Sequence, residues 1–137
     1  MSTEANRAEA FRHAIEAMDV AAVVQTLAPE VVFNSPIVHK PYNGRQAVGL
    51  LLAGVMQVFE DFRYVAEYAS PDGHVLRFST RIGDRAVDGV DILTFDAAGL
   101  IAEFSVMVRP YSAATALREA MAAALAAYTQ SNADPQS

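Results

Sequence analysis

The 137-residue sequence contains no cysteine and no tryptophan, and it has only three histidines. Without cysteine the chain has no disulfide, no thiolate metal site and no cysteine nucleophile. His13, His39 and His74 lack the helical pairing and the carboxylate set of a metal site. The phosphate-binding glycine motifs and the GxSxG motif are also missing. We therefore predict neither a metal nor a cofactor.

Long apolar runs and basic clusters are missing as well. No apolar run reaches the about 18 residues that a membrane span requires, and the first residues do not have the pattern of a signal peptide. The formal net charge is −6, from 16 acidic and 10 basic residues. An acidic chain without a basic cluster is a poor candidate for binding nucleic acid or an anionic membrane. We expect a cytoplasmic protein without either partner.

Apolar residues are abundant, at 53% of the chain, which is ample for the core of one compact domain. Helical spacing of apolar residues predicts a first helix over residues 3–18, and Asp19 is the expected N-cap of a short second helix. Residues 45–59 are apolar on nearly every side, which predicts a helix buried on more than one face. Gly49 within it indicates close packing or a bend.

The remaining core is predicted to be β-structure. Short turns separate the strands expected at 74–82, 87–95 and 100–109, and a strand at 63–70 precedes them, so an antiparallel meander is predicted. A C-terminal helix is expected over 112–128, followed by a frayed tail over 129–137. The chain is thus predicted to be one α+β domain, with a core over about 4–110 and helices on one face of a curved sheet.

One residue breaks the pattern of the strand at 87–95. Asp91 lies in "VDGVDILTF", where both faces of the strand are otherwise largely apolar. Strand alternation groups Asp91 with Gly89, Leu93 and Phe95. On the preceding strand, Arg77 and Arg81 lie on the face opposite Leu76 and Phe78. These arginines are expected to pair with an acid of a neighbouring strand, either Asp88 or Glu103.

Three segments carry a resemblance to a known family: "AMDVAAVVQTLAPEVVFNSPI", "YNGRQAV" and "VDGVDILTFDAAGLIAEFSVMVRP". In their order and spacing, over roughly residues 5–110, the chain resembles the SnoaL-like branch of the nuclear transport factor 2-like superfamily. That superfamily includes ketosteroid isomerases, limonene epoxide hydrolases and polyketide cyclases. The resemblance implies a cone-shaped, mixed β-sheet wrapped around N-terminal helices, as in cystatin-like α+β barrels. It also implies a pocket at the mouth of the cone and a homodimer formed through the sheet face.

The resemblance to ketosteroid isomerases extends to single positions. Asp91 falls where those enzymes keep a protonated acid that donates to a developing oxyanion. Ser35 falls where they keep their general base, and Phe11 where they keep an oxyanion tyrosine. A hydroxyl without an activating partner does not abstract a proton at neutral pH, so steroid isomerase chemistry is not expected. In cyclases of this superfamily the base is an aspartate, for which Asp91 is the one candidate.

Three functions are therefore open. The first is a pocket protein that binds a small, largely apolar ligand, with Asp91 as the main polar group and a pKa raised by burial. The second is an enzyme of the cyclase or isomerase kind, with Asp91 as acid or base and His39 or Tyr42 assisting. The third is a homodimeric interaction domain with a filled cone, in which Asp91 is a structural acid. The ligand-lining residues predicted for the first are Phe11, Ser35, Leu76, Phe78, Leu93, Phe95, Phe104 and Val106.

The strand at 63–70 carries two tyrosines whose hydroxyls have two expected locations. Tyr64 and Tyr68 are four residues apart, so strand alternation predicts that they share one face. Their hydroxyls are expected either inside the cone or at an interface.

Overall fold

A computed structural model describes residues 8–133 and shows an α+β fold. The elements follow one another as helices α1 and α2, strands β1 and β2, helix α3, strands β3 to β6, and helix α4. Their bounds are α1 Glu9–Glu16, α2 Val20–Gln25, β1 Leu27–Asn34, β2 Tyr42–Asn43, α3 Arg45–Val58, β3 Glu60–Ser70, β4 Gly73–Ile82, β5 Arg85–Phe95, β6 Ile101–Arg109 and α4 Tyr111–Ala133.

The six strands form a single mixed sheet in the order β2-β1-β6-β5-β4-β3. The predicted antiparallel meander is confirmed, because β3, β4, β5 and β6 each pair antiparallel with the next. β1 joins this meander by pairing parallel to β6, and β2 pairs antiparallel to β1 at the edge. Irregular register in three of the five strand pairs bends the sheet around the helices. The predicted fold class is thereby confirmed.

The two N-terminal helices pack against the inside of this sheet. α1 buries one stripe, Phe11, Ala14 and Ile15, as its helical spacing predicts. It ends earlier than predicted, and Met18 follows it with a positive φ of 57° and a side chain that is 54% exposed. The predicted start of this helix at residue 3 lies outside the described residues. Asp19 caps α2 as predicted, because its carboxylate accepts the backbone N–H of Ala22 at 3.1 Å.

α3 belongs to the helical layer, and five of its 14 residues are buried. Val48, Leu51 and Met56 lie on one broad buried face, and Ala47 and Leu50 are exposed on the opposite side. The helix is therefore buried on one face, not on more than one as predicted. Gly49 is a close-packing position, because a Cβ there would lie 2.9 Å from the Cγ2 of Val24. A side chain at this point would push α2 and α3 apart.

Two aromatic groups fill different parts of the interior. In the first, the ring of Phe104 makes edge contacts with Phe11 and Phe33, at centroid distances of 5.2 and 5.1 Å. In the second, Phe62 stacks on Phe78 at 4.9 Å and on Phe59 at 5.9 Å. The first group comes from α1, β1 and β6, and the second from the end of α3, β3 and β4. Members of both groups line one cavity, so space remains between them.

α4 is longer than the predicted C-terminal helix and includes residues 129–133, which the sequence assigned to a frayed tail. Ala113 and Leu117, in its first half, are buried. Residues 134–137 of the predicted tail lie outside the described residues. Within the described chain, no helix combines the length and the apolar character needed to cross a membrane. The cytoplasmic location stays a prediction.

Candidate functional site

Asp91 faces the interior of the curved sheet and is 5% exposed. Alternation along β5 places Val87, Gly89, Asp91 and Leu93 on the buried face. Its carboxylate accepts a hydrogen bond from the Tyr64 hydroxyl, with 2.7 Å between Oη and Oδ2. The acid that breaks the apolar pattern of β5 is therefore half of a buried tyrosine–aspartate pair.

Tyr64 reaches this position because β3 contains a bulge. Tyr64 pairs with Phe78, but Ala66 pairs with Arg77, so Val65 is an extra residue in β3. The bulge reverses the alternation that follows it, and Tyr68 is consequently 61% exposed. The prediction that Tyr64 and Tyr68 share a face is wrong for this reason.

Burial dominates the proton equilibria of the pair. It raises the pKa of Asp91 from its ordinary value of 3.8 to about 7, and the hydrogen bond from Tyr64 opposes that rise only in part. Burial also raises the pKa of Tyr64 well above its usual value, and the adjacent Asp91 charge adds to that effect. Tyr64 is therefore a neutral phenol near neutral pH, whereas Asp91 exists in both protonation states there.

An apolar cavity of about 70 Å³ lies against this pair, and we call it the inner cavity. It occupies the space between the two aromatic groups, under α3 and the first half of α4. Asp91 and Tyr64 are the two lining residues with polar side chains. The complete lining is Ile15, Met18, Phe33, Pro36, Leu52, Val55, Met56, Phe59, Phe62, Tyr64, Phe78, Asp91, Phe104, Val106 and Leu117.

Gly89 keeps the wall of the inner cavity in place. It precedes Asp91 by two residues on the buried face of β5, and Phe78 is its partner across the β4–β5 pair. A Cβ at Gly89 would overlap the ring of Phe78 and lie 2.8 Å from the carbonyl oxygen of Met107. Only a residue without a side chain lets the Phe78 ring lie flat beside the cavity.

Four of the predicted site residues line the inner cavity, namely Phe78, Asp91, Phe104 and Val106. Four others lie on interior faces but not on its wall. Phe11, Leu76 and Leu93 belong to the main core cluster, and Phe95 packs against that cluster and makes an edge contact with the His74 ring. The predicted lining therefore differs from the observed one, because the core around α1 fills that end of the cone.

A second, wider cavity of about 220 Å³ adjoins the first, and we call it the outer cavity. Its wall includes two predicted residues, Ser35 and Tyr42. The Ser35 hydroxyl accepts the backbone N–H groups of Ile37 and Val38, at 3.0 and 2.9 Å, so it shapes its own turn. The full lining is Phe33, Ser35, Pro36, Ile37, Val38, Tyr42, Leu51, Val55, Leu117, Arg118, Met121 and Ala122.

His39, the other predicted helper, is exposed on the loop after Pro36 and lines neither cavity. The structure brings Asp91 together with Tyr64 instead of with His39 or Tyr42. The presence of tyrosines on β3 was a usable signal for this pairing. The direction in which each tyrosine points could not be predicted, because the bulge at Val65 has no signature in the apolar pattern of the sequence.

A second polar group lies beside α1 and was not anticipated. Glu67 accepts from Arg12 at 3.3 Å and lies 3.2 Å from Nδ1 of His74, whose side chain is buried. Nε of Arg12 and Nε2 of His74 are buried and have no hydrogen-bond partner among the residues that the structure describes. The positive charge of Arg12 also acts on Tyr64, whose pKa it lowers slightly against the larger raising effects. Arg12 therefore links this group electrostatically to the Asp91 pair.

The outer face of the sheet carries ion pairs. Arg77 donates to both carboxylate oxygens of Asp88 at 3.1 Å, which confirms one of the two predicted pairings. This contact lowers the pKa of Asp88. Arg81 pairs with Asp61, whereas Glu103 accepts from Asn34 at 2.9 Å. These charges lie outside the cone and do not contribute to the cavities.

Comparison with known proteins agrees with this fold. The sequence matches the SnoaL-like domain family over residues 8–104, so the chain belongs to the SnoaL-like family within the nuclear transport factor 2-like fold. Comparison with curated proteins gives no significant match.

Solved structures supply closer relatives. A steroid delta-isomerase from Pseudomonas aeruginosa is 39% identical, with a TM-score of 0.89, over 95% of this chain and 96% of that one. A cystatin-like protein from Silicibacter pomeroyi is 33% identical, with a TM-score of 0.82, over 85% and 83% of the two chains. A nuclear transport factor 2-like protein from Mesorhizobium loti, 21% identical over 80% and 96% with a TM-score of 0.70, supports the fold alone. The chain is thus related to ketosteroid isomerase-like proteins.

Proposed function

We propose that the protein binds a small, largely apolar molecule with one carbonyl-type oxygen, which the Asp91–Tyr64 pair holds by a hydrogen bond. The observation that carries the proposal is this pair itself. Its two oxygens lie 2.7 Å apart on the wall of an otherwise apolar cavity. Pockets that combine an apolar wall with a few convergent polar groups orient a ligand through those groups.

The protonation state of the pair determines which kind of ligand atom it can bind. With Asp91 protonated, the pair holds two protons, of which one joins the two side chains and the other is available to the ligand. With Asp91 ionised, a single proton remains and is used between the side chains, so the pair offers only an acceptor. Because the pKa of Asp91 is about 7, the donor form is present at and below neutral pH. A carbonyl oxygen, which only accepts, fits that form.

The similarity to a steroid delta-isomerase is consistent with an oxygen-bearing apolar ligand. Two features favour binding over steroid isomerisation. The resemblance to ketosteroid isomerases puts Ser35 where those enzymes keep their base, and its hydroxyl accepts two backbone amides. A serine in that arrangement has no partner that would take its proton, so it does not act as a base.

One observation favours a second candidate function, in which Asp91 is a general acid or base. A carboxyl group with a pKa near 7 is close to the optimum for proton transfer at neutral pH. In that case the ionised form of Asp91 removes a proton next to the ligand's carbonyl. The two functions therefore use opposite protonation states of the same residue.

The binding proposal is tested with 2-hexanone as the probe, titrated at about pH 6 and about pH 8.5. We expect the wild-type affinity to fall about 30-fold over this range, because only the protonated fraction of Asp91 donates to the carbonyl. Asp91→Asn keeps a neutral donor at every pH, so its affinity is expected to stay constant. The infrared C=O stretch of the bound probe should lie below that of the free probe in both proteins.

Asp84→Asn is the matched control, because Asp84 is an exposed acid in the β4–β5 turn. It should retain the wild-type pH dependence. A flat wild-type profile, or an unchanged fall in Asp91→Asn, contradicts the binding proposal. Hydrogen exchange next to the carbonyl in D₂O that is lost in Asp91→Asn establishes the catalytic candidate instead.

We also propose that two copies associate through the outer sheet face. Arg77, Val90 and Met107 follow one another across β4, β5 and β6, and Val65 lies beside this row on β3. Met107 is 59% exposed and Val65 is 49% exposed, which is unusual for apolar residues in mid-strand. Sedimentation should give a dimer for the wild type and a monomer for Met107→Glu. Leu50→Glu, on exposed α3 surface, should remain dimeric, and a monomeric wild type refutes the proposal.

A further inference from the structure

The volumes of the two cavities constrain the shape of the ligand. The inner cavity measures about 70 Å³. An engineered apolar cavity that takes up benzene in another protein measures about 150 Å³, so the inner cavity is too small to enclose a ring of that size. It has room for a carbonyl group and a few carbon atoms. The outer cavity, at about 220 Å³, is larger than that engineered cavity.

The two cavities share part of their walls. Phe33, Pro36, Val55 and Leu117 line both of them. All four side chains are apolar, so among the residues that the structure describes the shared wall, which we call the junction, has no charged or hydrogen-bonding side chain. A ligand that passes from one to the other therefore leaves no polar group unsatisfied at the junction.

α4 supplies one side chain, Leu117, to this junction. Leu117 is buried and faces both cavities, whereas Arg118, Met121 and Ala122 of the next turn line only the outer one. The helix thus lies over the outer cavity and contributes one side chain to the junction. On the opposite wall, Ser35 is already engaged by two backbone amides, which leaves the outer cavity with mainly apolar contacts to offer.

We propose that the ligand is an elongated ketone or aldehyde, whose carbonyl lies in the inner cavity and whose apolar body extends past Leu117 into the outer cavity, beneath α4. This inference rests on the proposed binding function and specifies the class of molecule. Leu117 and Ala122 then determine how long a body the protein accepts. Asp91 and Tyr64 determine only how the carbonyl end is held.

The test uses straight-chain methyl ketones from 2-butanone to 2-octanone at about pH 6. We expect the affinity to rise about fourfold for each added methylene, because each one leaves water for the apolar outer cavity. Ala122→Trp fills that cavity from an exposed position of α4, so it should abolish the gain for the longer ketones. Its effect on 2-butanone should be less than twofold.

Ala123→Trp is the matched control, because Ala123 is the neighbouring exposed residue and does not line either cavity. It should show the wild-type dependence on chain length. The inference is overturned if the wild-type affinity does not rise with chain length, or if the two tryptophan variants behave alike. Those outcomes leave the proposed function standing as long as 2-butanone binding still falls above about pH 7 and Asp91→Asn removes that fall. If 2-butanone shows no such pH dependence, the proposed function itself fails.

Discussion

The free energy of unfolding should fall by about 2 kcal/mol between about pH 5.5 and about pH 8.5, and Asp91→Asn should remove that fall. Asp91 has a pKa of about 7 in the folded protein and an ordinary value near 3.8 in the unfolded chain. Between these values the folded state binds the proton and the unfolded state does not. Stability is therefore highest below the unfolded value, decreases as the pH rises, and levels off above about 7.

Denaturant unfolding at several pH values measures this effect, with the difference between wild type and Asp91→Asn as the quantity of interest. Subtracting the variant removes the contributions that the two proteins have in common. Over the whole range between the two pKa values the difference corresponds to about 4 kcal/mol. Parallel profiles for the two proteins would show that Asp91 is ionised in the fold at an ordinary pKa.

Phe104→Ala should lower the free energy of unfolding by about 3–5 kcal/mol. Phe104 is buried on β6, and its ring makes edge contacts with both Phe11 and Phe33. Its removal deprives two other rings of a partner and leaves a void that the sheet cannot close. Tyr111→Ala is the control, because Tyr111 is 88% exposed and its loss should change stability by less than about 0.5 kcal/mol.

A second variant separates the role of Phe104 in the core from its role in the cavity. Phe11→Ala removes a ring of the same group and should destabilise the protein to a similar extent. Phe104 lines the inner cavity and Phe11 does not, so only Phe104→Ala should enlarge the space beside Asp91. Benzene should therefore bind to Phe104→Ala more tightly than to Phe11→Ala, and equal binding would place the cavity elsewhere.

The sheet and its inner face follow from the sequence to a large extent. Residues 74–82 alternate between apolar and polar residues, and the period of a strand groups Asp91 with Gly89 and Leu93. The structure accordingly places Leu76, Phe78 and Asp91 on the buried face. Turn chemistry at the strand ends fixed the antiparallel order. These features are local, because they depend on the period of a strand and on the residues that end it.

The site is less accessible to sequence reasoning because it depends on distant contacts. Tyr64 meets Asp91 through a bulge at Val65, and a bulge is determined by how β3 pairs with β4. The wall of the inner cavity likewise depends on which rings pack together. Phe11 turns toward Phe104 and becomes core, although the resemblance to ketosteroid isomerases places it where those enzymes keep a catalytic tyrosine. Which side chains pack together depends on residues that are distant in sequence, so a local pattern does not predict it.

The parallel pairing of β1 with β6 has a consequence for how the protein acquires its pocket during synthesis. Asn34 and Ser105 are hydrogen-bonded across 71 residues, and in the described part of the chain the other strand beside β1 is the two-residue β2. A nascent chain cannot complete this pairing until the ribosome has released nearly the whole domain, and closing so long a loop is entropically slow. Since Phe33 and Phe104 reach the inner cavity from these two strands, the cavity can form only after β6 has been synthesised.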